Sequence, residues 1–297
     1  GGDVLVSEEV SGDLVIVGGS YIGLEFAQIF RRWGSKVTVL EYDSQLMFRE
    51  DVDIADIAED ILTSEGVDII CRSQVESVSV QTDLNSEQKI AIHYKQQEQQ
   101  QQLNASHILF ATGRQPNSDR LNLSAANIDV NSHGFIQVND TMQTSQLHVY
   151  AVGDINGHGA FTHTSVNDGE IFWDQYSRLL GINDEATNLD RTLSMRNVPY
   201  AMFIDPPLAR IGMGEKEARQ SGREILMGTM PMSQIARAKE KKETYGVVKI
   251  FVDGQTEEIV GATVFGTGGD EIIGVFAAFM QTKSSYKLFR RTVFPHP

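Results

Sequence analysis

The sequence predicts an α/β fold followed by an α+β tail, and three observations predict it. Short apolar runs at residues 14–17, 37–40 and 67–70 alternate with stretches of helical periodicity, as buried parallel strands alternate with crossover helices. A glycine-rich turn joins the first run to the first helical stretch. Beyond residue 196 the pattern becomes a mixture of strand and helix signals.

The elements follow in order. Phe26, Ile29, Phe30 and Trp33 recur at helical spacing and predict the buried face of a first helix, which Gly34 ends. Asp51 is placed to cap a second helix with Ile54, Ile57, Ile61 and Leu62 on one face, stopped by Gly66. Period-two patterns at residues 75–80, 90–94 and 108–110 predict an antiparallel excursion. Between them, the glutamine-rich stretch 96–102 reads as an exposed hairpin loop. Residues 116–195 are turn-rich, with one strand expected at 148–152 and a helix starting near Thr164. A polar stretch at 183–196 marks a boundary. In the tail, residues 246–252 and 259–265 read as hairpin strands around Asp253-Gly254. Ile272, Ile273, Phe276, Phe279 and Met280 share a helix face.

Composition removes several function classes. With 25 basic against 40 acidic residues the 297-residue chain carries a formal charge of −15, which argues against a nucleic-acid-binding surface. No apolar run reaches the ~18 residues of a membrane span. The single cysteine, Cys71, makes no intrachain disulfide and no cysteine-rich zinc site. It ends the run at 67–70, so a packing role is expected, and no metal centre is expected anywhere.

Gly18-Gly19-Ser20-Tyr21-Ile22-Gly23 follows a predicted strand and opens a predicted helix, the setting of a Rossmann-type dinucleotide fingerprint. Gly18 permits the tight turn. Gly23 lets helix and strand pack closely. The helix N-terminus offers N–H groups to a pyrophosphate. Ser20 stands where a second glycine is usual, and its Cβ is expected to crowd the phosphates and weaken binding. Glu41, eighteen positions after Gly23, ends the second strand and is expected to accept hydrogen bonds from the adenosine ribose. Its charge would repel the extra phosphate of NADP, so NAD(H) is preferred over NADP(H).

Four ordered motifs resemble the class I pyridine nucleotide–disulfide oxidoreductases. They are the segment 18–25, then Ala111-Thr112-Gly113-Arg114-Gln115-Pro116-Asn117, then Val149-Tyr150-Ala151-Val152-Gly153-Asp154-Ile155, and finally Phe294-Pro295-His296-Pro297. The stretches 197–200 and 205–212 resemble the mercuric-reductase-like branch, which includes reactive-chlorine-resistance flavoproteins. The resemblance implies three parts. Residues 1–115 are a NAD(P)-binding domain, 116–195 a central portion of an FAD-binding domain, and 196–297 an α+β dimerisation domain that is C-terminally incomplete.

The resemblance also implies roles. Tyr21 covers the nicotinamide face of the flavin and swings aside for the dinucleotide. Glu25 pairs with a flavin-side lysine that these residues do not include, so its carboxyl is expected to resist ionisation. Gly113 and Arg114 belong to a cofactor-binding motif. Gly153 and Asp154 hold the ribityl chain of FAD. The helix near Thr162-His163-Thr164 points its dipole at the flavin, with His163 positional. His296 reaches into the partner site of a homodimer as general acid and base, beside a His-Pro bond that is usually cis in the family.

The resemblance further implies a preceding flavin domain of about 150 residues with the redox cysteine pair. Residues 1–297 hold neither. The expected activity of the complete protein is hydride transfer from NADH to FAD and on to a disulfide, a metal ion or a small oxidant in the cytoplasm. Residues 1–297 alone are expected to bind the nucleotide without catalysis. Dihydrolipoamide dehydrogenase, a non-catalytic nucleotide-binding module, and a flavin enzyme that uses quinone or oxygen are the alternatives.

Overall fold

The computed structural model describes residues 12–82, 88–182 and 191–296. They divide into two compact units, Gly1–Gly113 with Pro199–Pro297, and Arg114–Val198. The boundaries expected at 115/116 and 195/196 sit beside these unit edges. The first and last segments form one unit. Most of the polar stretch at 183–196 lies outside the described residues.

In the first unit a parallel sheet is built from β1 (Asp13–Val17), β2 (Lys36–Leu40), β3 (Asp68–Ile70) and β7 (His107–Phe110), in the order β3-β2-β1-β7. The crossovers are helices α1 (Tyr21–Arg32) and α2 (Val52–Ser64). Between β3 and β7 lies an antiparallel sheet of β4 (Ser73–Thr82), β5 (Gln88–Gln96) and β6 (Gln99–Ala105). The tail folds as a five-stranded antiparallel sheet. It contains β8 (Tyr200–Met202), β9 (Leu208–Gly212), β10 (Ile225–Pro231), β11 (Val247–Asp253) and β12 (Ile259–Phe265), in the order β10-β11-β12-β9-β8. Its helices include α4 (Glu215–Gln220), α5 (Ala236–Lys241), α6 (Gly269–Gln281) and α7 (Tyr286–Arg291). The second unit has one long helix, α3 (Thr162–Leu179). The expected α/β core with an α+β tail is thus present.

Why the parallel sheet and the tail sheet of the first unit cohere is visible in its core. Leu14, Ile16, Val37 and Val39 from the parallel sheet share one buried cluster with Met202, Ile204, Leu208 and Phe265 from the tail. Burial of such side chains contributes about 1.5–3 kcal/mol each. The parallel sheet and the tail sheet therefore rest on a single continuous core.

Several expectations need correction. The buried face of α1 is Gly23, Leu24, Ala27, Gln28 and Phe30, whereas Ile29 and Trp33 are exposed. The aromatic spacing marked a side stripe instead. Phe26 and Trp33 pack on Phe30, at ring-centroid distances of 6.2 and 5.6 Å, while the smaller residues meet the sheet. In the glutamine-rich stretch only Gln97 and Glu98 form the turn, both at positive φ. Gln99 to Gln102 are paired in β6. The strand expected at 148–152 is a single bridge between Gln143 and Tyr150. Its backbone groups are taken by local turns, such as Val149 N–H to Gln146 O. On α6, Ile273, Phe276 and Met280 are buried but Ile272 is exposed. The hairpin around Asp253-Gly254 forms as expected.

Candidate nucleotide and flavin site

β1 ends where the chain must turn sharply into α1. Gly18 has φ +110, and a Cβ there would lie 2.6 Å from the Ala111 carbonyl oxygen after β7. At Gly23 a Cβ would fall 1.9 Å from the Gly18 carbonyl oxygen. Both positions therefore demand glycine, one for conformation and space, the other for space alone. Gly19 is buried, and its N–H donates to Glu41 Oε2 at 2.5 Å. The other Glu41 oxygen accepts the Asp43 N–H at 2.8 Å. Met47 N–H returns to the Gly19 carbonyl at 2.9 Å. The carboxylate at the end of β2 thus ties the glycine turn to the loop that follows it.

Ser20 is the exposed N-cap residue of α1, in extended backbone that any residue adopts, and its side chain makes no cap bond. The first turn of α1 holds no acidic residue. Its dipole therefore favours an external anion at this end. Tyr21 and Ile22 are half-buried on that turn. Gly113, at φ +111, lies three residues past β7, where an added Cβ would meet nothing within 4 Å. These features fit the pyrophosphate of a dinucleotide: the turn is a cradle that Cβ atoms would fill.

Glu25, one turn into α1, accepts the Phe203 N–H at 2.8 Å. The carboxylate therefore has a partner from the tail, not the bare environment expected. Burial raises its pKa, only partly offset by that hydrogen bond, so it does resist ionisation.

In the second unit Gly153 has φ +81 and ψ −163, a conformation essentially confined to glycine. Asp154 is exposed. It accepts from Arg114 Nη1 at 3.2 Å and from Ser165 Oγ, on the first turn of α3, at 3.3 Å. His163 is exposed, with its ring stacked on Phe161 at 5.2 Å. The Arg114, Gly153, Asp154 and α3 N-terminus features come together, and a polyol could be held there by an accessible carboxylate. His296 lies exposed beyond α7, two residues past Phe294, whose ring packs on Phe289. Its bond to Pro297 lies outside the described residues.

Sequence reasoning missed two buried charge clusters and a buried carboxylate. Lys249 Nζ, fully buried in β11, contacts Asp51 Oδ2 at 2.8 Å, Asp53 at 2.9 Å and Glu215 at 3.2 Å. Asp51 sits at the N-cap position of α2 but makes no cap bond. Its other oxygen accepts the Glu215 N–H at 2.8 Å, which corrects the expected capping role. The three carboxylates lie close enough to hold a cation, and the ammonium of Lys249 takes that place. Beside them, Arg210 pairs with Glu50 at 3.3 Å and Glu217 at 2.7 Å, and Tyr200 bonds Glu50. In the second unit, Asp168 of α3 is buried against Arg196 at 2.6 Å. No local pattern announces these clusters, because Arg210 with Glu50, Lys249 with Asp51 and Asp168 with Arg196 are each brought together from distant segments. Cys71 packs half-buried at the end of β3, and burial pushes its thiol up to about 11. No helix among the described residues is long and apolar enough to cross a membrane.

A parallel sheet that opens into a glycine turn and ends beside an acidic residue shares its unit with a five-stranded antiparallel sheet. The family profile "Pyridine nucleotide-disulphide oxidoreductase" matches residues 2–169, and its "dimerisation domain" profile matches 198–297. The chain belongs to the pyridine nucleotide-disulphide oxidoreductase family. It is 39% identical over 290 residues to "Probable pyridine nucleotide-disulfide oxidoreductase RclA" of Escherichia coli (strain K12), covering 98% of this chain and 62% of that protein. It is 32% identical to a "Dihydrolipoyl dehydrogenase" of Bacillus subtilis (strain 168), covering 99% and 60%. Among solved structures, the "Cu(II) complex of HOCl-induced flavoprotein disulfide reductase RclA from Escherichia coli" superposes with a TM-score of 0.86 at 36% identity, covering 99% and 64%. The chain thus spans about three fifths of the length of these relatives.

Proposed function

We propose that this chain is the pyridine-nucleotide-binding and dimer-forming part of an NADH-dependent flavoprotein disulfide reductase. The observation that carries the reading is the glycine cradle closed by Glu41. A Cβ at Gly23 has no room, and the carboxylate of the next strand anchors the turn. Gly18, Gly19, Ser20, Ile22 and Gly23 bind the pyrophosphate at the start of α1, and Gly113 borders it. Each Glu41 oxygen accepts one backbone N–H and retains a lone pair for a ribose hydroxyl.

Gly153, Asp154 and Arg114, with His163 at the start of α3, would hold FAD. Bound FAD supplies the two-electron acceptor for hydride. Tyr21, half-buried on the first turn of α1, would stand at the nicotinamide end of the bound dinucleotide. Glu25, its pKa raised by burial, keeps a proton to a higher pH than an exposed glutamate would. His296 acts as general acid and base toward the thiols across a homodimer axis. The parts 1–115, 116–195 and 196–297 correspond to nucleotide, flavin and dimerisation roles, and a cytoplasmic setting accords with NADH as donor. Electrons leave to a disulfide, a metal ion or a small oxidant. The Cu(II) complex of RclA supports a metal ion, and the dihydrolipoyl dehydrogenase match supports dihydrolipoamide as the alternative. Residues 1–297, whose one cysteine forms no internal pair, bind nucleotide without disulfide turnover on their own.

Parallel titration with NADH and NADPH, read by fluorescence, tests the reading. NADH should bind about tenfold or more tightly, because the Glu41 carboxylate repels a 2′-phosphate. Glu41→Gln should narrow the gap. Equal or tighter NADPH binding would remove the specificity assignment, and failure of both nucleotides to bind would remove the function.

A further inference from the structure

Asp168 lies mid-way along α3 with its side chain almost wholly buried. A buried carboxylate is costly unless paired and hydrogen-bonded. Here every bond it makes serves one turn. Oδ2 accepts the Gly153 N–H at 2.8 Å and Asn156 Nδ2 at 2.7 Å. Asn156, itself buried, also donates to the Ala151 carbonyl at 3.2 Å and accepts the His158 N–H at 2.9 Å. Oδ1 pairs with Arg196 Nη1 at 2.6 Å, and Arg196 Nη2 donates to the His158 carbonyl at 2.7 Å. The carboxylate, the amide and the guanidinium therefore clamp the backbone from Ala151 to His158 on both sides of Asp154. Gly153, in its glycine-only conformation, is the residue whose N–H the carboxylate takes.

We propose that Asp168, acting with Asn156 and Arg196, is the positioning residue that holds the Gly153–Asp154 turn in shape to receive flavin. This rests on the reading that the turn binds flavin. Asp168 touches no ligand. It fixes the backbone that aims Asp154, whose own carboxylate stays exposed between Arg114 and Ser165. A salt bridge serving only to pin Arg196 would need neither the Gly153 nor the Asn156 contact.

The test uses the full-length protein, FAD as probe, and three variants. Asp168→Asn removes the charge, Asn156→Ala removes the amide clamp without touching the ion pair, and Asp154→Ala is the benchmark for the turn itself. Asp168→Asn should weaken FAD binding about 10–100-fold, the scale of lost charged hydrogen bonds, and Asn156→Ala about tenfold. Both should also alter the visible flavin spectrum at saturating FAD, which a residue serving stability alone would leave unchanged while lowering the melting temperature. Wild-type affinity and spectrum in both variants, with flavin lost from Asp154→Ala, would overturn the positioning role and leave the flavin reading standing. Full flavin retention in Asp154→Ala would overturn the flavin reading and this proposal together. Should Asp168→Asn fail to fold, Asn156→Ala decides by the same two measurements.

Discussion

Replacing Gly23 with alanine adds one methyl group at the tightest point of the nucleotide cradle. Its Cβ would lie 1.9 Å from the Gly18 carbonyl oxygen, with the Ala111 Cβ 3.5 Å away on another side. Reaching even 3.0 Å, below which real Cβ contacts essentially never fall, requires the turn and α1 to part by about 1.1 Å. The obstacle is backbone, so no side chain can swing aside. Alanine would gain about 1 kcal/mol in helix propensity over glycine. Overpacking costs about 1–3 kcal/mol, and opening the cradle also moves the N–H groups that face the pyrophosphate. Net stability should fall by up to about 2 kcal/mol. NADH affinity should fall about tenfold or more, since each 1.4 kcal/mol is a factor of ten. Urea denaturation measures the first and NADH titration the second. Unchanged NADH affinity in a folded G23A protein would refute the reasoning, because it would mean the Gly18–Gly23 contact does not shape the site.

The Lys249 cluster and Cys71 supply the remaining predictions. Lys249→Met leaves Asp51 buried without its counter-charge and should cost about 3 kcal/mol, the low end for a broken buried pair because Asp53 and Glu215 reach solvent. Burial opposes the Lys249 charge, but hydrogen bonds to Asp51 and Asp53 outweigh it and raise its pKa. A raised lysine stabilises fully below its unfolded value of about 10.4, and that contribution is lost as pH rises through the folded value. Wild-type stability should therefore decline in alkali more steeply than that of Lys249→Met, and parallel slopes in denaturation curves above pH 10 would contradict the linkage. Cys71, pushed up to about 11 by burial, should react with iodoacetamide at neutral pH far more slowly than in the unfolded chain. Equal rates by mass spectrometry would show the thiol to be open.

The glycine turn was legible in the sequence because its logic is local. A strand, a turn of glycines and a helix start lie within about ten residues, and steric demands at Gly18 and Gly23 act over that span. Glu41 was legible as well, since it ends the strand next in order, and so were the tail hairpin and the core of α2. By contrast, which stripe of α1 faces the sheet was settled by packing, where the small residues Gly23 and Ala27 meet the strands more closely than Trp33 could. Asp51 carried the signature of a helix cap, yet its carboxylate is drawn to Lys249, nearly two hundred residues away. Neither Asp168 with Arg196 nor Glu25 with Phe203 could be paired from sequence spacing. By itself the sequence determined the first strands and helices, the glycine turn between them and the tail hairpin, because backbone sterics and period act between near neighbours. Only the tertiary structure decided which charges are buried together, because the cost of removing a charge from water is met by whatever partner the fold brings within about 3 Å.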